Sequence, residues 1–262
     1  MTTNQFTDKI HKAPRLDFGN VFSDAIALFQ KVWLQGFLMV LLGFVIVMGL
    51  YTMMMIPMLA SGFILEQNPE DMNTVVSVLL MGVIFLTYMV IIIVATTLNV
   101  ALQAAFYRIT RLKDRNVKTE VGVNFGMFLK KRHLKKLFLF SLIYMVILGV
   151  SYVFLILPLF YVMIPMQYAL IIYAFYPEWS IKEILKAGFE LGNKKWGITF
   201  ALMLVGGIAA YTVGFLACFV GVYFTLSFVY LPVYLIYKEV VGFTEVEDVI
   251  AQIGGEDTLF VE

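Results

Sequence analysis

Charge is missing from four long stretches of this chain, and cysteine and histidine from nearly all of it. Charged residues make up 14% of the 262, against 61% hydrophobic and 16% aromatic. A soluble domain is nearer a quarter charged and about half apolar. A surplus of this size cannot be buried inside one soluble domain, so a bilayer has to be the second solvent. The single cysteine, Cys218, excludes an internal disulfide. Two separated histidines, His11 and His133, cannot make a His-rich iron or zinc site. No G-x-S-x-G, P-loop, H-E-x-x-H or G-x-G-x-x-G signature occurs. The reading is therefore of no catalytic, cofactor-binding or metal-ligating residue, no cofactor and no enzyme. With 19 basic residues against 18 acidic ones, nothing in the balance calls for nucleic acid.

The opening MTTNQFTDKIHKAPRLDFGN is polar and lacks the apolar core and small-residue cleavage site of a secretory signal. The first apolar span is expected to act as an uncleaved anchor, and no lipidation motif is visible.

What is present is long apolar blocks. The uncharged runs 32–65, 72–107, 137–177 and 196–237 hold 34, 36, 41 and 42 residues. One crossing needs about 20 residues. The first two runs then hold one span each, near 34–58 and 76–105. The last two hold two each, near 136–156, 159–176, 197–217 and 221–237. The fold class expected is all-α: a polytopic membrane helix bundle of six transmembrane helices. Four spans with re-entrant hairpins is the alternative. The domain division is a tail 1–19, a single membrane domain 20–240 and an acidic tail 241–262 with a short helix over 244–252.

Basic residues set an orientation. With both termini inside, the outer segments carry no Lys or Arg, and the one sizeable outer loop carries Glu66, Glu70 and Asp71. That is the positive-inside pattern of a multi-pass protein with cytoplasmic N- and C-termini.

Three segments stand before odd-numbered spans with apolar residues at helical spacing. Residues 20–33 show Phe22, Ala25, Ile26, Phe29 and Trp33. Residues 121–132 show Val121, Phe125, Phe128 and Leu129. Residues 180–195 show Ile181, Ile184, Leu185, Gly188, Phe189 and Gly192, opened by a Ser180–Glu183 capping box. These read as amphipathic helices along the cytoplasmic face. The unit of surface helix, span, turn and span would then occur three times, a possible three-fold internal repeat.

The string IIYAFYPEWSIKEILKAGFELGNKKWGITF, residues 171–200, resembles a motif of a loose group of bacterial six-span membrane proteins of unknown function. The group is related to the membrane domain of some glycerophosphodiester phosphodiesterases. The likeness is best over 165–205 and weaker over 18–50. It implies a bacterial inner (plasma) membrane protein with amphipathic cytoplasmic helices, and it transfers no catalytic residue.

Four features are candidates for interaction. Between Arg108 and Lys136 ten basic residues face only Asp114 and Glu120, a net of +8. The cluster Lys130, Lys131, Arg132, Lys135 and Lys136 reads as a topology signal or as an anionic-lipid site. Gly206, Ala210 and Gly214 have small-xxx-small spacing for close helix packing, inside the chain or against a second subunit. Asn99 and Gln103 are four apart on one helix face and form a polar spot with Gln167, or else simply bond between helices. The tail 241–262 is a disordered end or docks onto a partner.

The expected function is non-enzymatic: a scaffold, assembly factor or accessory subunit working through a protein partner or a homo-oligomer. The alternative is a transporter or lipid-handling protein. The spans lack the buried charge that ion-coupled transport uses.

Overall fold

The computed structural model describes residues 2–67, 74–115, 125–154, 157–217 and 219–243. Among them the chain is helical, with no strand. In order the helices are α1 (Thr3–His11), α2 (Phe18–Gln67), α3 (Thr74–Asp114), α4 (Lys131–Val153), α5 (Leu157–Phe175), α6 (Ile181–Lys194), α7 (Trp196–Leu216), α8 (Gly221–Thr225) and α9 (Leu231–Val240). Short 3-10 turns at Met127–Leu129 and Leu226–Tyr230 precede α4 and α9.

Five stretches are long and apolar enough to cross a membrane: Phe18–Ile56, Val78–Asp114, His133–Tyr152, Pro158–Phe175 and Trp196–Leu216. The sixth expected span, 221–237, is not one helix. It breaks into α8, the 3-10 turn and the start of α9. From Leu231 to Tyr237 every residue is buried by protein. An apolar run says that water is excluded; here other helices exclude it, not lipid.

Burial divides the molecule in two. Large apolar side chains stand exposed along Leu41–Leu59 of α2 and Val78–Val94 of α3. They stand exposed again along Phe138–Phe154 and along Leu204–Val220. The first stretch, 19 residues at 1.5 Å each, is about 28 Å long, close to the roughly 30 Å hydrocarbon core. The other half is packed, with α1, the start of α2, the end of α3, α5, α6 and α9 sharing one core.

Two of the three expected surface helices are not separate elements. Residues 20–33 are helical, but α2 runs through them into the first span without a break, 50 residues in all. Nothing at Trp33-Leu34-Gln35 can end a helix, and loss of charge does not. The buried face is Val21, Ala25, Leu28 and Val32; of the expected stripe Ala25 is buried, Phe22 and Phe29 pack against the core, and Ile26 and Trp33 stand exposed. Of the second segment, 121–124 lie outside the described residues. Phe125 and Gly126 form a turn and Met127–Leu129 a 3-10 turn, and α4 begins at Lys131. Among the described residues only 180–195 forms a helix of its own.

That helix, α6, starts where its sequence says. Ser180 Oγ accepts from the Glu183 amide at 3.3 Å, and the Ser180 amide donates to Glu183 Oε2 at 2.8 Å. The serine hydroxyl also donates to the same carboxylate at 2.6 Å. These bonds hold the Glu183 carboxyl below the usual range. Its apolar face is not laid on headgroups. α6 turns back antiparallel on α5, with Gly188 against Ala169 and Gly192 against Pro165, and Ile184, Ala187 and Leu191 are buried. Lys136 Nζ donates to the carbonyls of Pro177 and Trp179 and ties down the connection.

Two outcomes follow. Ser180→Ala is expected to destabilise the fold by about 1 kcal/mol. A depressed carboxyl pKa contributes stability above its ordinary range that is lost as pH falls through the lowered value. The gap between mutant and wild-type melting should therefore narrow in acid. Ile184→Asp is expected to cut the yield of folded protein sharply, because the charge would enter a fully buried site; size-exclusion profiles in mild detergent check it.

The N-terminal tail is structured as well. α1 opens with a Thr2–Gln5 capping box, and Phe6 and Ile10 on one face are fully buried. Phe6 meets Trp179 at 5.5 Å and Tyr176 at 6.2 Å between ring centroids. Lys194 donates to His11 O, and Lys195 reaches Pro14 O. Burial, with Lys194 beside it, lowers the pKa of the Lys195 ammonium.

Candidate functional site

Asn99 and Gln103 share a face of α3, as their spacing predicts, and Gln167 on α5 is brought to them. All three line a cavity of about 520 Å³ and also a smaller one of about 140 Å³ beside it. α2 supplies one wall of the larger cavity with Met39, Val40, Gly43, Phe44 and Val47. These positions fall on one helix face. Met203 and Tyr211 of α7, Tyr223 of α8, and Leu226, Val229 and Tyr230 complete it. A third hollow of about 760 Å³ lies at the α7–α8 tip. It shares Tyr211, Tyr223 and Leu226 with the cavity and adds Phe215, Leu216 and Phe219.

No Asp, Glu, Lys, Arg or His lines any of these three spaces. Polarity comes from carboxamides and hydroxyls alone. Asn99 Nδ2 donates to Ala95 O at 3.0 Å, and Tyr107 donates its hydroxyl to Gln167 Oε1 at 3.3 Å. Each of those amides keeps donor or acceptor capacity beyond its one bond. The nearby Thr97 Oγ1 donates to Ser141 Oγ at 3.0 Å, a polar link between α3 and α4. The tyrosines of the wall gave no signal in the sequence, because fourteen are spread through the chain and only the fold selects three of them.

The small-residue stripe is used inside the chain. Phe228 lies against Gly206, the backbone of Val222 against Gly214, and Thr225 Oγ1 donates to Ala210 O at 2.7 Å. The stripe brings α7 close to the returning α8 segment, which forms the cavity's far wall.

The basic cluster is divided. Lys130 and Lys135 are exposed, whereas Lys136 is engaged with the α5–α6 connection. The side chains of Lys131 and Arg132 lie outside the described residues, as do Cys218, residues 68–73 of the acidic loop and the tail 244–262. Of the same basic segment, Arg108 is buried. Its Nε donates to Ala174 O, and its guanidinium stands 4.7 Å from the Phe128 ring centre. Arg108 therefore serves packing and is withdrawn from any headgroup surface. His133 stands 3.2 Å from the Tyr173 hydroxyl, and exposed His11 lies 3.2 Å from Glu190. Among the described residues no group of His, Cys, Asp and Glu could hold a metal ion.

Compared with protein families, curated proteins and solved structures, the chain matches none.

Proposed function

We propose that this is a non-enzymatic, multi-pass membrane protein that takes an uncharged lipophilic molecule into the cavity between α2, α3 and the α7–α8 hairpin. The observation that carries the reading is the lining: three carboxamides and three tyrosines in an otherwise apolar wall, with no ionisable acid or base besides the phenols. Ligand cavities are commonly apolar with a few placed polar groups and hold roughly 300–1,000 Å³. The one-sided distribution of basic residues supports cytoplasmic termini, and the resemblance of residues 171–200 supports a bacterial inner membrane.

A second reading, an accessory subunit acting through a protein partner, draws on the α2–α3 hairpin, whose exposed apolar flanks offer a second helix pair a large face. Gentle detergent extraction followed by mass spectrometry of co-purifying molecules separates the two. Bound lipid on an otherwise lone chain is expected; a stoichiometric protein partner with an empty cavity favours the second.

The basic cluster at the start of α4, Lys130, Lys131, Arg132 and Lys135, with Lys130 and Lys135 exposed, is proposed to meet anionic headgroups at about 1 kcal/mol per charge. Replacing Lys130, Lys131 and Arg132 together by Gln should remove the stabilisation that anionic lipid gives over zwitterionic lipid. Equal melting shifts in wild type and variant would leave only the topology role.

Topology has its own test in a Cys218→Ala background. Lys182→Cys on exposed α6 should react with an impermeant thiol reagent from the cytoplasmic side. Val220→Cys at the exposed α7–α8 tip should react from the far side if that hairpin crosses, and from neither side if it is re-entrant.

A further inference from the structure

The three hollows form a polarity gradient, and the gradient defines a ligand class. At one end lie Asn99, Gln103 and Gln167. At the other lies the α7–α8 tip, where Phe215, Leu216 and Phe219 are exposed and the hollow is lined by apolar and aromatic groups. Tyr211 and Tyr223 stand between the two, lining both.

The polar end is under-satisfied. Among the described residues, the Gln103 carboxamide makes no hydrogen bond, and Gln167 uses only its oxygen. Both side chains are half-buried and open onto the cavity, so a guest's polar atoms can take up the valences left there. The free valences are amide N–H donors and amide carbonyl oxygens alike, so they suit a head that both accepts and donates, such as a hydroxyl beside a carbonyl. The phenols of the wall can donate or accept. A charged head is disfavoured, because nothing in the lining offers a countercharge and desolvating an ion without one is costly.

We infer that the cavity binds a neutral amphiphile whose head carries carbonyl or hydroxyl oxygens, such as a diacylglycerol. Its oxygens meet Gln103 and Gln167, and its chain runs past Tyr211 and Tyr223 to the lipid-exposed hollow at the hairpin tip. This rests on the lipid-handling reading above and narrows it to head chemistry.

The test uses the full chain in nanodiscs with two photoreactive probes sharing one acyl chain, a diacylglycerol and a phosphatidylglycerol. Cross-linked positions are mapped by mass spectrometry. The expected result is that the diacylglycerol labels residues of the cavity wall at least tenfold more than the phosphatidylglycerol does. Gln103→Leu combined with Gln167→Leu should bring the two probes to within about threefold of each other at those positions. Equal labelling of the cavity by both probes in wild type overturns the neutral-head assignment and leaves lipid handling standing. Labelling of neither probe within the cavity overturns both. If the double variant does not fold, the wild-type ratio decides alone. Unchanged preference in a folded double variant overturns the role of the two glutamines.

Discussion

Gly188→Leu is expected to leave little folded protein. A Cβ at Gly188 would lie 2.6 Å from both the Ala169 amide nitrogen and its Cβ, and 2.7 Å from its Cα. Two of these three are backbone atoms of α5, so no side-chain rotation can yield. α5 must move, and α5 is the most enclosed of the five apolar helices. Overpacking a core costs typically about 1–3 kcal/mol, and more when the obstacle is backbone. Even Gly188→Ala, which gains about 1 kcal/mol of helix propensity, should come out destabilised. Gly192→Ala should behave alike, with Pro165 atoms at 2.6 to 2.9 Å. Gly49→Ala and Gly197→Ala are the controls: nothing lies within 4 Å of either added Cβ, so both should hold or raise the melting temperature. Melting in detergent decides. A Gly188→Leu protein that melts within a degree or two of wild type would show that α5 and α6 are not in close contact.

The same helix pair shows what the sequence could and could not convey. The cap at Ser180 and the stripe through Ile184, Gly188 and Gly192 are legible, because both are local patterns, whereas the buried Leu191 lies outside that stripe. The surface covering that stripe is not legible. A stripe states that one face is buried; it does not say whether headgroups or α5 bury it. The segment 221–237 shows the same ambiguity. Leu231 to Tyr237 is buried against α2, α5 and α7, and hydropathy cannot distinguish protein from lipid as the apolar medium. The N-terminal charges of α2 end at Lys31, yet no helix breaker stands there and the helix runs on. α1 lies inside a tail whose composition is polar, although Thr2 with Gln5 and the i, i+4 pair Phe6 and Ile10 carry a short amphipathic signal. In the cavity, spacing could join Asn99 to Gln103, but Gln167 is 64 residues further along and the tyrosine wall has no local signature at all.

Asp114→Ala is the second substitution with a large expected effect. The carboxylate sits at the end of α3, and its Oδ2 gathers three donors: Lys238 at 2.6 Å, the Tyr234 hydroxyl at 2.9 Å and Arg111 at 3.7 Å. Two of them belong to α9, which no turn connects directly to α3, so this one group pins the two helices together. The carboxylate is mostly buried whereas Lys238 is 42% exposed, which weakens the Lys238 pair through solvent screening. The buried tyrosine hydroxyl, left without its acceptor, carries more of the loss. About 2–3 kcal/mol is expected for Asp114→Ala, and less for Asp114→Asn, whose amide oxygen can still accept from Tyr234. Lys238→Met alone should cost under about 1 kcal/mol. Asp114→Ala combined with Tyr234→Phe should cost clearly less than the two added, since each then leaves no orphan in the other. The effect reaches the cavity, because the 3-10 turn before α9 ends in Tyr230, one of its walls. Loosening α9 should therefore weaken binding of a neutral lipid probe by several-fold while the protein remains folded below its lowered melting point. If Asp114→Ala melts like wild type, or melts lower with probe binding intact, α9 is held by apolar packing alone and the cavity does not depend on the α3–α9 clasp.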